Sequence, residues 1–194
     1  MKNPQIEIKS EEILSQKHYT YKKVTLQYTD EQKSETQTRE VLDRGNGATI
    51  LLYNKENQSV VLVKQFRLPT FLNKNKTGML IEACAGMLEE ENPEDTIKRE
   101  VQEETGYTIH SVKKIFQAYM SPGAVTEIIH FFVGEYSNEM KTGKGGGLES
   151  EHENIEILEI KFEKAMKMII SGEIEDAKTI MLLQYAKIQN LLAN

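Results

Sequence analysis

Residues 85–107 constrain the fold of this chain more than any other stretch, and they read A-G-M-L-E-E-E-N-P-E-D-T-I-K-R-E-V-Q-E-E-T-G-Y. The middle of the stretch has the signals of a helix start, because Asn92 is a favourable N-cap residue and Pro93 suits the first helical position. Gly106 predicts where the helix ends. Apolar or small residues at four-residue steps predict its buried stripe, namely Ile97, Val101 and Thr105.

The rest of this predicted helix surface is acidic. Glu100 and Glu104 are one helical turn apart, so both side chains leave the same face, and Glu103 lies at its edge. Like charges at this spacing destabilise a helix unless something compensates them, and Mg²⁺ can do so because it binds carboxylate oxygens. Arg99 can pair with one of the carboxylates. The alternative is a solvated acidic face, which is what most runs of charge turn out to be.

Composition narrows the class of protein. A chain of 194 residues is long enough for one domain with a sizeable core, and a net charge of −6 with an isoelectric point near 5.4 offers no basic surface to nucleic acid or anionic lipid. Cys84 is the only cysteine, which excludes an internal disulfide and fits a reducing compartment. No signal peptide or membrane-spanning segment is apparent. We therefore expect a soluble cytoplasmic protein with neither nucleic-acid nor membrane partners.

The predicted helix and the loop before it resemble the signature of a known family. The string R-E-V-Q-E-E-T-G-Y at 99–107, with Glu91 and Gly86 ahead of it, is similar to the Nudix box. Nudix hydrolases cut nucleoside diphosphates linked to another group and use Mg²⁺ or Mn²⁺. In this chain four residues separate Gly86 from Glu91 where the usual box has five, whereas the helical half of the box is intact.

The resemblance implies a set of metal ligands. It makes Glu100, Glu104 and the backbone carbonyl of Ala85 ligands of Mg²⁺, and it adds a loop glutamate that is both ligand and catalytic base for an attacking water. Counting back from the next predicted strand selects Glu153, and counting forward from the glycine run selects Glu151. The string E-N-I-E favours Glu153.

Further residues are implied in catalysis and in substrate binding. Glu103 assists ligation, Arg99 orients the carboxylates, and Glu82 supports the site from the strand before the box. Arg67 and Lys178 neutralise phosphate; the alternatives for these two are a surface ion pair and an ordinary helix lysine. The substrate-binding residues that the resemblance implies are Arg67, Ala85, Gly86, Met87, Glu104, Glu127 and Lys178.

Residues 5–44 predict a small β meander, because apolar and polar residues alternate before and after a polar turn at 29–34. So small a sheet cannot bury both faces alone and must pack on something else. In the Nudix branch that splits nucleoside diphosphate sugars, a similar segment joins the dimer. That likeness implies that Thr38, Arg39 and Glu40 contact ligand in the partner's site; the alternative is that Arg39 is a surface strand residue.

The remainder of the chain has an α/β pattern. Apolar runs predict strands at 48–53, 60–66, 80–86, 109–119, 128–136 and 155–158, with a loop at 68–77 and two helices after residue 162. His130 is interpreted as a core or semi-buried residue, and Asp176 as the cap of the second helix. Residues 141–154, rich in glycine and acidic residues, predict a mobile exposed loop over the site. The alternative is a disordered connector.

Together these patterns and the family resemblance imply a Nudix-type α/β/α sandwich with a mixed sheet, plus a small N-terminal antiparallel β-sheet that the resemblance implies is used in dimerisation. We expect residues 1–44 to form the dimerisation segment and residues 45–194 the hydrolase domain. The expected activity is Mg²⁺-dependent cleavage of nucleoside diphosphate sugars by a homodimer, with Mn²⁺ as the other metal and GDP-mannose as the first choice of substrate. ADP-ribose hydrolysis and non-catalytic nucleotide-sugar sensing are the alternatives.

Overall fold

Two compact units make up the chain. The structure, a computed structural model, describes residues 2–88, 92–151 and 153–193, and for Glu151 it describes the backbone alone. The first unit extends to Asn46 and also includes residues 118–129; the second contains residues 47–117 and 130–194. The first unit therefore ends close to the boundary expected near residue 44 and gains a later segment that the sequence analysis assigned to the hydrolase domain. Within the described ranges, no helix is both long and apolar enough to cross a membrane.

The first unit contains the small antiparallel sheet that the alternation predicted, and the structure shows that it has three strands. Its strands are β1 (Gln5–Gln16), β2 (Thr20–Thr29) and β3 (Ser34–Asp43), in that order across the sheet. The turn between β2 and β3 is closed by Asp30, whose carboxylate accepts the backbone N–H groups of Gln32 and Lys33. Strand β1 lies at the sheet edge, and all of its residues are exposed.

Residues 118–129 are tied to the end of β3. Leu42 donates its backbone N–H to Ala124 at 2.8 Å and accepts the N–H of Thr126 at 3.1 Å, forming an isolated parallel bridge. The Thr126 hydroxyl also donates to Asp43 at 3.0 Å. These bonds explain why the loop at 121–127, predicted as a turn, belongs with the N-terminal sheet.

The second unit is organised around a mixed seven-stranded sheet. Strand order is β10-β5-β4-β9-β8, with β6 paired to β5 and β7 paired to β4. In chain order the strands are β4 (Gly47–Asn54), β5 (Ser59–Phe66), β6 (Met79–Glu82), β7 (Cys84–Met87), β8 (Lys113–Tyr119), β9 (Ile128–Glu135) and β10 (Glu156–Lys161). The ends of β8 and β9, residues 118–119 and 128–129, are counted with the first unit.

Helices cover both faces of this sheet. Strand β4 is buried along almost its whole length. Because successive side chains of a strand point to opposite faces, this burial requires that both faces of the sheet are covered. Its residues Ala48, Ile50 and Leu52 share one core cluster with Ile97 and Val101 of α2 (Pro93–Thr105). The intervening residues of β4 are also buried, and α4 (Ala177–Ile188) packs on the same strand, next to α3 (Phe162–Ser171). The predicted α/β/α sandwich is confirmed.

The predicted strand at 80–86 is two strands. Strand β6 pairs with the end of β5 and β7 pairs with the start of β4, and the break lies at Ala83. The β4–β5 hairpin pairs directly only near its turn, through residues 52–54 and 59–61, so the segment fills the space where the two strands separate. The backbone N–H of Ala83 leaves the ladder and donates to the Thr179 hydroxyl at 2.6 Å. An apolar run carries no sign of this change of partner.

Three other predictions differ from the structure. The expected loop at 68–77 begins with the short helix α1 (Leu68–Leu72), which has a proline in its first turn, and β8 begins at Lys113 instead of residue 109. Apolar spacing in the second C-terminal helix also predicts that Ile188 faces inward, whereas Ile188 of α4 is 73 % exposed. The differences in β8 and α4 lie at element ends, which are the least reliable part of a prediction from sequence.

Candidate active site

The helix that carries the acidic residues begins and ends as predicted. The Asn92 side chain accepts the backbone N–H groups of Glu94 at 2.8 Å and Asp95 at 3.2 Å. Gly106 follows the helix in a left-handed conformation with φ of 76°, and its N–H bonds to the Gln102 carbonyl. These caps fix α2 in register, so the positions of its carboxylates relative to β7 are determined.

Glu104 is the most buried carboxylate of this helix, with 2 % exposure. One of its oxygens accepts the backbone N–H of Ala85 at 3.3 Å, and the Cys84 thiol donates to the same carboxylate. Burial raises the pKa of Glu104 to about 8, and the negative charges of Glu100 and Glu153 act in the same direction. A buried carboxylate with two anionic neighbours is a group whose ionised form a divalent cation would stabilise.

Gly86 allows Glu100 to approach the backbone of β7. A β-carbon at Gly86 would overlap the Glu100 side chain, so any larger residue at this position would displace the Glu100 carboxylate. Arg99 lies beside the same carboxylate, 3.2 Å from Glu100 and 2.9 Å from Glu103. It therefore pairs with two carboxylates, one more than the sequence analysis expected.

The glycine-rich segment is fixed against the end of α2. The backbone N–H groups of Gly146 and Gly147 donate to the carbonyls of Glu104 at 2.9 Å and Glu103 at 3.1 Å, which are among the carbonyls that a helix C-terminus leaves without helical partners. Residues 145–148 are half-buried. The predicted exposure is therefore wrong for residues 145–148, whose backbone donates hydrogen bonds to the end of α2, whereas the mobility of the segment stays a prediction.

Glu153 follows this anchored segment. Its carboxylate accepts the Leu148 N–H at 3.1 Å, and its charge contributes to the raised pKa of Glu104. The structure thus brings Glu153 into the electrostatic neighbourhood of the box carboxylates. The side chain of the other loop candidate, Glu151, and the first box glutamate, Glu91, lie outside the described residues.

Arg67 and Lys178, predicted to bind phosphate, are brought together by a third residue. Arg67 Nε donates to Glu82 at 2.7 Å, and Lys178 Nζ donates to the other oxygen of Glu82 at 3.3 Å and to Asp176 at 2.7 Å. Burial disfavours the charge on Lys178, but Asp176 and Glu82 outweigh it and raise its pKa. The sequence analysis gave Glu82 a supporting role without identifying these two partners, since they come from distant parts of the chain.

The remaining predicted ligand contacts lie in the first unit. Glu127 pairs with Arg44 at 3.3 Å, and Arg39 bonds to the Thr38 carbonyl at 2.9 Å. Arg39 and Glu40 line an open groove of about 740 Å³ whose other lining residues are Val24, Leu26, Val41, Tyr119, Pro122, Gly123, Ala124, Val125 and Thr126. The groove joins a charged pair to an apolar surface, which suits a ligand with both a polar and a flat apolar part.

The candidate ligands suit a metal ion that keeps water or substrate oxygens among its ligands. Among the residues whose side chains the structure describes, no three His, Cys, Asp or Glu side chains are close enough to hold one ion by themselves. Mg²⁺ does not need such a cage, because it is usually bound by one or two carboxylates together with water and substrate phosphates. Glu100, Glu104 and the Ala85 carbonyl of β7 are oxygen donors of the kind that such an ion takes from a protein.

The sandwich and the capped helix with its buried carboxylate define a Nudix-type hydrolase. The NUDIX domain family model matches residues 43–183, and the model of the GDP-mannose pyrophosphatase NudK N-terminal domain matches residues 5–42. This chain belongs to the Nudix family, whose members generally need a divalent metal ion.

Curated relatives agree with this assignment over nearly the whole chain. A GDP-mannose pyrophosphatase of Yersinia enterocolitica is 53 % identical over 93 % of this chain and 94 % of its own length. Proteins of the same name from Enterobacter sp. and Shigella flexneri are 49 % and 48 % identical, each over 97 % of this chain and 98 % of their own length.

Proposed function

We propose that this protein hydrolyses GDP-mannose to GMP and mannose 1-phosphate with Mg²⁺ as the preferred metal and Mn²⁺ as a substitute. One observation carries the proposal: the buried Glu104 lies beside Glu100 and Glu153. The same unit contains two cationic side chains, Arg67 and Lys178, which both pair with the Glu82 carboxylate. The relatives named GDP-mannose pyrophosphatase and the N-terminal family model support the choice of substrate.

Residues of the box would hold the metal. Glu100 and Glu104 would supply carboxylate oxygens, and Ala85 its backbone carbonyl. When bound, Mg²⁺ withdraws charge from the diphosphate and lowers the pKa of water. Glu103 would assist in binding the metal. Arg99 would orient Glu100 and Glu103 through its two ion pairs.

Other residues would act on the substrate directly. Arg67 and Lys178 would neutralise phosphate oxygens, for which a guanidinium is well suited because it stays charged and donates from several nitrogens. Glu153 is the proposed base that takes a proton from the attacking water, and its carboxylate is oriented by the Leu148 N–H. Glu151 is the alternative base. Gly86 and Met87 would lie along the substrate, since they continue the strand from Ala85.

Substrate competition tests this proposal. GDP-mannose, ADP-ribose and UDP-glucose are incubated separately with the protein in Mg²⁺ and in EDTA, and the products are separated by chromatography. We expect Mg²⁺-dependent turnover with the highest kcat/KM for GDP-mannose. A preference for ADP-ribose would contradict the proposed substrate but not the metal-dependent hydrolysis. If none of the three compounds is hydrolysed, nucleotide-sugar sensing becomes the better interpretation.

We also propose that the protein is a cytoplasmic homodimer in which residues 1–44 join the protomers and the rest forms the hydrolase domain. Four large apolar side chains of the edge strand β1 are between 42 % and 57 % exposed, namely Ile6, Ile8, Ile13 and Leu14. An edge strand of this kind can pair with a second copy. Thr38, Arg39, Glu40 and Glu127 would then contact substrate. The buried, unpaired Cys84 is compatible with a reducing cytoplasm.

Light scattering tests the dimer. The wild-type protein should have twice the mass of one chain, and Ile8→Lys combined with Ile13→Lys should shift it toward the monomer. A monomeric wild type, or a double variant that remains dimeric, would contradict a dimer formed through β1.

A further inference from the structure

Glu82 is a buried carboxylate for which the proposed chemistry has no direct use. It ends β6, immediately before the break at Ala83, and is 3 % exposed. Its two oxygens have different partners: Oε2 accepts from Arg67 Nε and Oε1 accepts from Lys178 Nζ. One carboxylate thereby determines how far apart two cations from distant parts of the chain are held.

Each of these cations is held from its own element as well. Arg67 precedes α1, and its backbone N–H donates to the Gly78 carbonyl at 2.8 Å, so its main chain is fixed. Lys178 lies in the first turn of α4 and pairs with the helix cap Asp176. Asp176 also accepts the hydroxyl of Thr179, and Thr179 accepts the backbone N–H of Ala83, the residue after Glu82. The start of α4 is thus bonded to the strand break through the Glu82 side chain and through the Ala83 backbone.

Arg67 has donors left for a ligand. Its side chain is 41 % exposed, and only Nε is used in the pair with Glu82. Across the described residues, neither terminal nitrogen of Arg67 has an assigned hydrogen bond. A guanidinium anchored through Nε presents its two terminal nitrogens in a fixed plane, which is the arrangement that binds two phosphate oxygens at once.

We propose that Glu82 is a positioning residue of the diphosphate site, holding Arg67 and Lys178 at a spacing that fits two linked phosphates. The inference rests on the proposed function, because it assigns these cations to the same phosphorylated substrate. By setting the spacing of the two cations, Glu82 favours the binding of a diphosphate over that of a monophosphate.

Charge and geometry make opposite predictions for the loss of Glu82. A carboxylate between two phosphate-binding cations reduces the local positive potential. If only charge mattered, removing this carboxylate would strengthen the binding of pyrophosphate, the more highly charged anion, more than that of inorganic phosphate. Loss of positioning would instead penalise pyrophosphate, which must meet both cations, more than inorganic phosphate, which can bind to one. The ratio of the two affinities therefore distinguishes the explanations.

The test compares inorganic phosphate and pyrophosphate binding to metal-free protein in EDTA at low ionic strength, followed by ³¹P NMR. We expect the ratio of the phosphate Kd to the pyrophosphate Kd to fall about tenfold in Glu82→Gln, the lower end of the effect typical of residues that orient a site. A ratio that is unchanged or higher overturns the proposal. Wild-type protein that binds neither anion without metal also overturns it.

Two further variants keep the result interpretable. Glu82→Asp retains the charge with a shorter reach and should lower the same ratio, which isolates geometry even if Glu82→Gln folds poorly. Glu159→Gln is the matched control, since Glu159 accepts hydrogen bonds from Ser59 and Tyr136 elsewhere on the sheet, and its ratio should equal that of wild type. No turnover is measured, so a wrong choice of GDP-mannose as substrate would not alter this outcome.

Discussion

Removing the charge of Glu104 should change how the stability of the metal-free protein depends on pH. The pKa of Glu104 is about 8 in the folded chain against an ordinary value of 4.5, chiefly because the carboxyl is buried. Below pH 4.5 the group is protonated in both states and imposes no penalty. Between pH 4.5 and 8 the unfolded chain releases a proton that the folded chain retains, so the free energy of unfolding falls as pH rises, and above pH 8 the loss is complete.

The size of this effect follows from the two pKa values. At 1.36 kcal/mol per pH unit the full loss is roughly 5 kcal/mol as an upper figure. About 4 kcal/mol of this loss falls between pH 5 and pH 8.5. For a chain of this length each kcal/mol shifts Tm by about 2–4 °C, so the wild-type Tm should fall by roughly 8–16 °C over that window on account of this group. Glu104→Gln should remove that fall, because a neutral amide has no proton to release.

Thermal unfolding in EDTA at several pH values is the assay. The control is Glu94→Gln, at the exposed start of the same helix, which should keep the wild-type pH dependence. Saturating Mg²⁺ should raise the wild-type Tm most at high pH, since the metal binds the ionised carboxylate and only in the folded state. Parallel curves for wild type and Glu104→Gln in EDTA would refute the assignment of Glu104 as a protonated buried carboxyl.

Three further predictions concern activity. Glu104→Gln should abolish turnover in Mg²⁺ while circular dichroism shows a folded protein; a near-wild-type rate would contradict its role as a ligand. Gly86→Ala should lower kcat/KM by about tenfold or more, because its β-carbon displaces Glu100, whereas Gly143→Ala, where a β-carbon has only ordinary contacts, should have little effect. Arg99→Gln should lower kcat by about tenfold with little change in Tm, since its ion pairs are partly exposed. The control is Lys98→Gln, because Lys98 pairs with Glu94 instead of the candidate metal ligands, and an equal loss from this variant would argue against an orienting role.

Local sequence signals predicted the catalytic helix well. Asn92, Pro93 and Gly106 each act through backbone geometry within one turn, so their effect does not depend on distant residues. The four-residue apolar stripe likewise selects one face of the helix in any environment, and Ile97 and Val101 are fully buried as expected. The alternation in β2 and β3 predicted their sheet for the same reason.

Long-range contacts were out of reach of these patterns. Gly146 and Gly147 donate hydrogen bonds to carbonyls of α2. A segment whose composition is typical of a mobile loop is therefore bonded to the catalytic helix. The partnership of Arg67 and Lys178 through Glu82 joins residues far apart in the chain. The family resemblance supplied candidate roles for the two cations, but it carried no information on what holds them together.

The sequence by itself determined the helix, its caps and the order of its carboxylates, because these follow from short-range backbone sterics and a 3.6-residue period. Only the tertiary structure decided that Glu104 is buried against the Ala85 N–H and carries a raised pKa. It also decided that the strand before the box changes partner at Ala83. Desolvation, ion pairing and strand pairing depend on which distant segments meet, and that is a property of the folded chain as a whole.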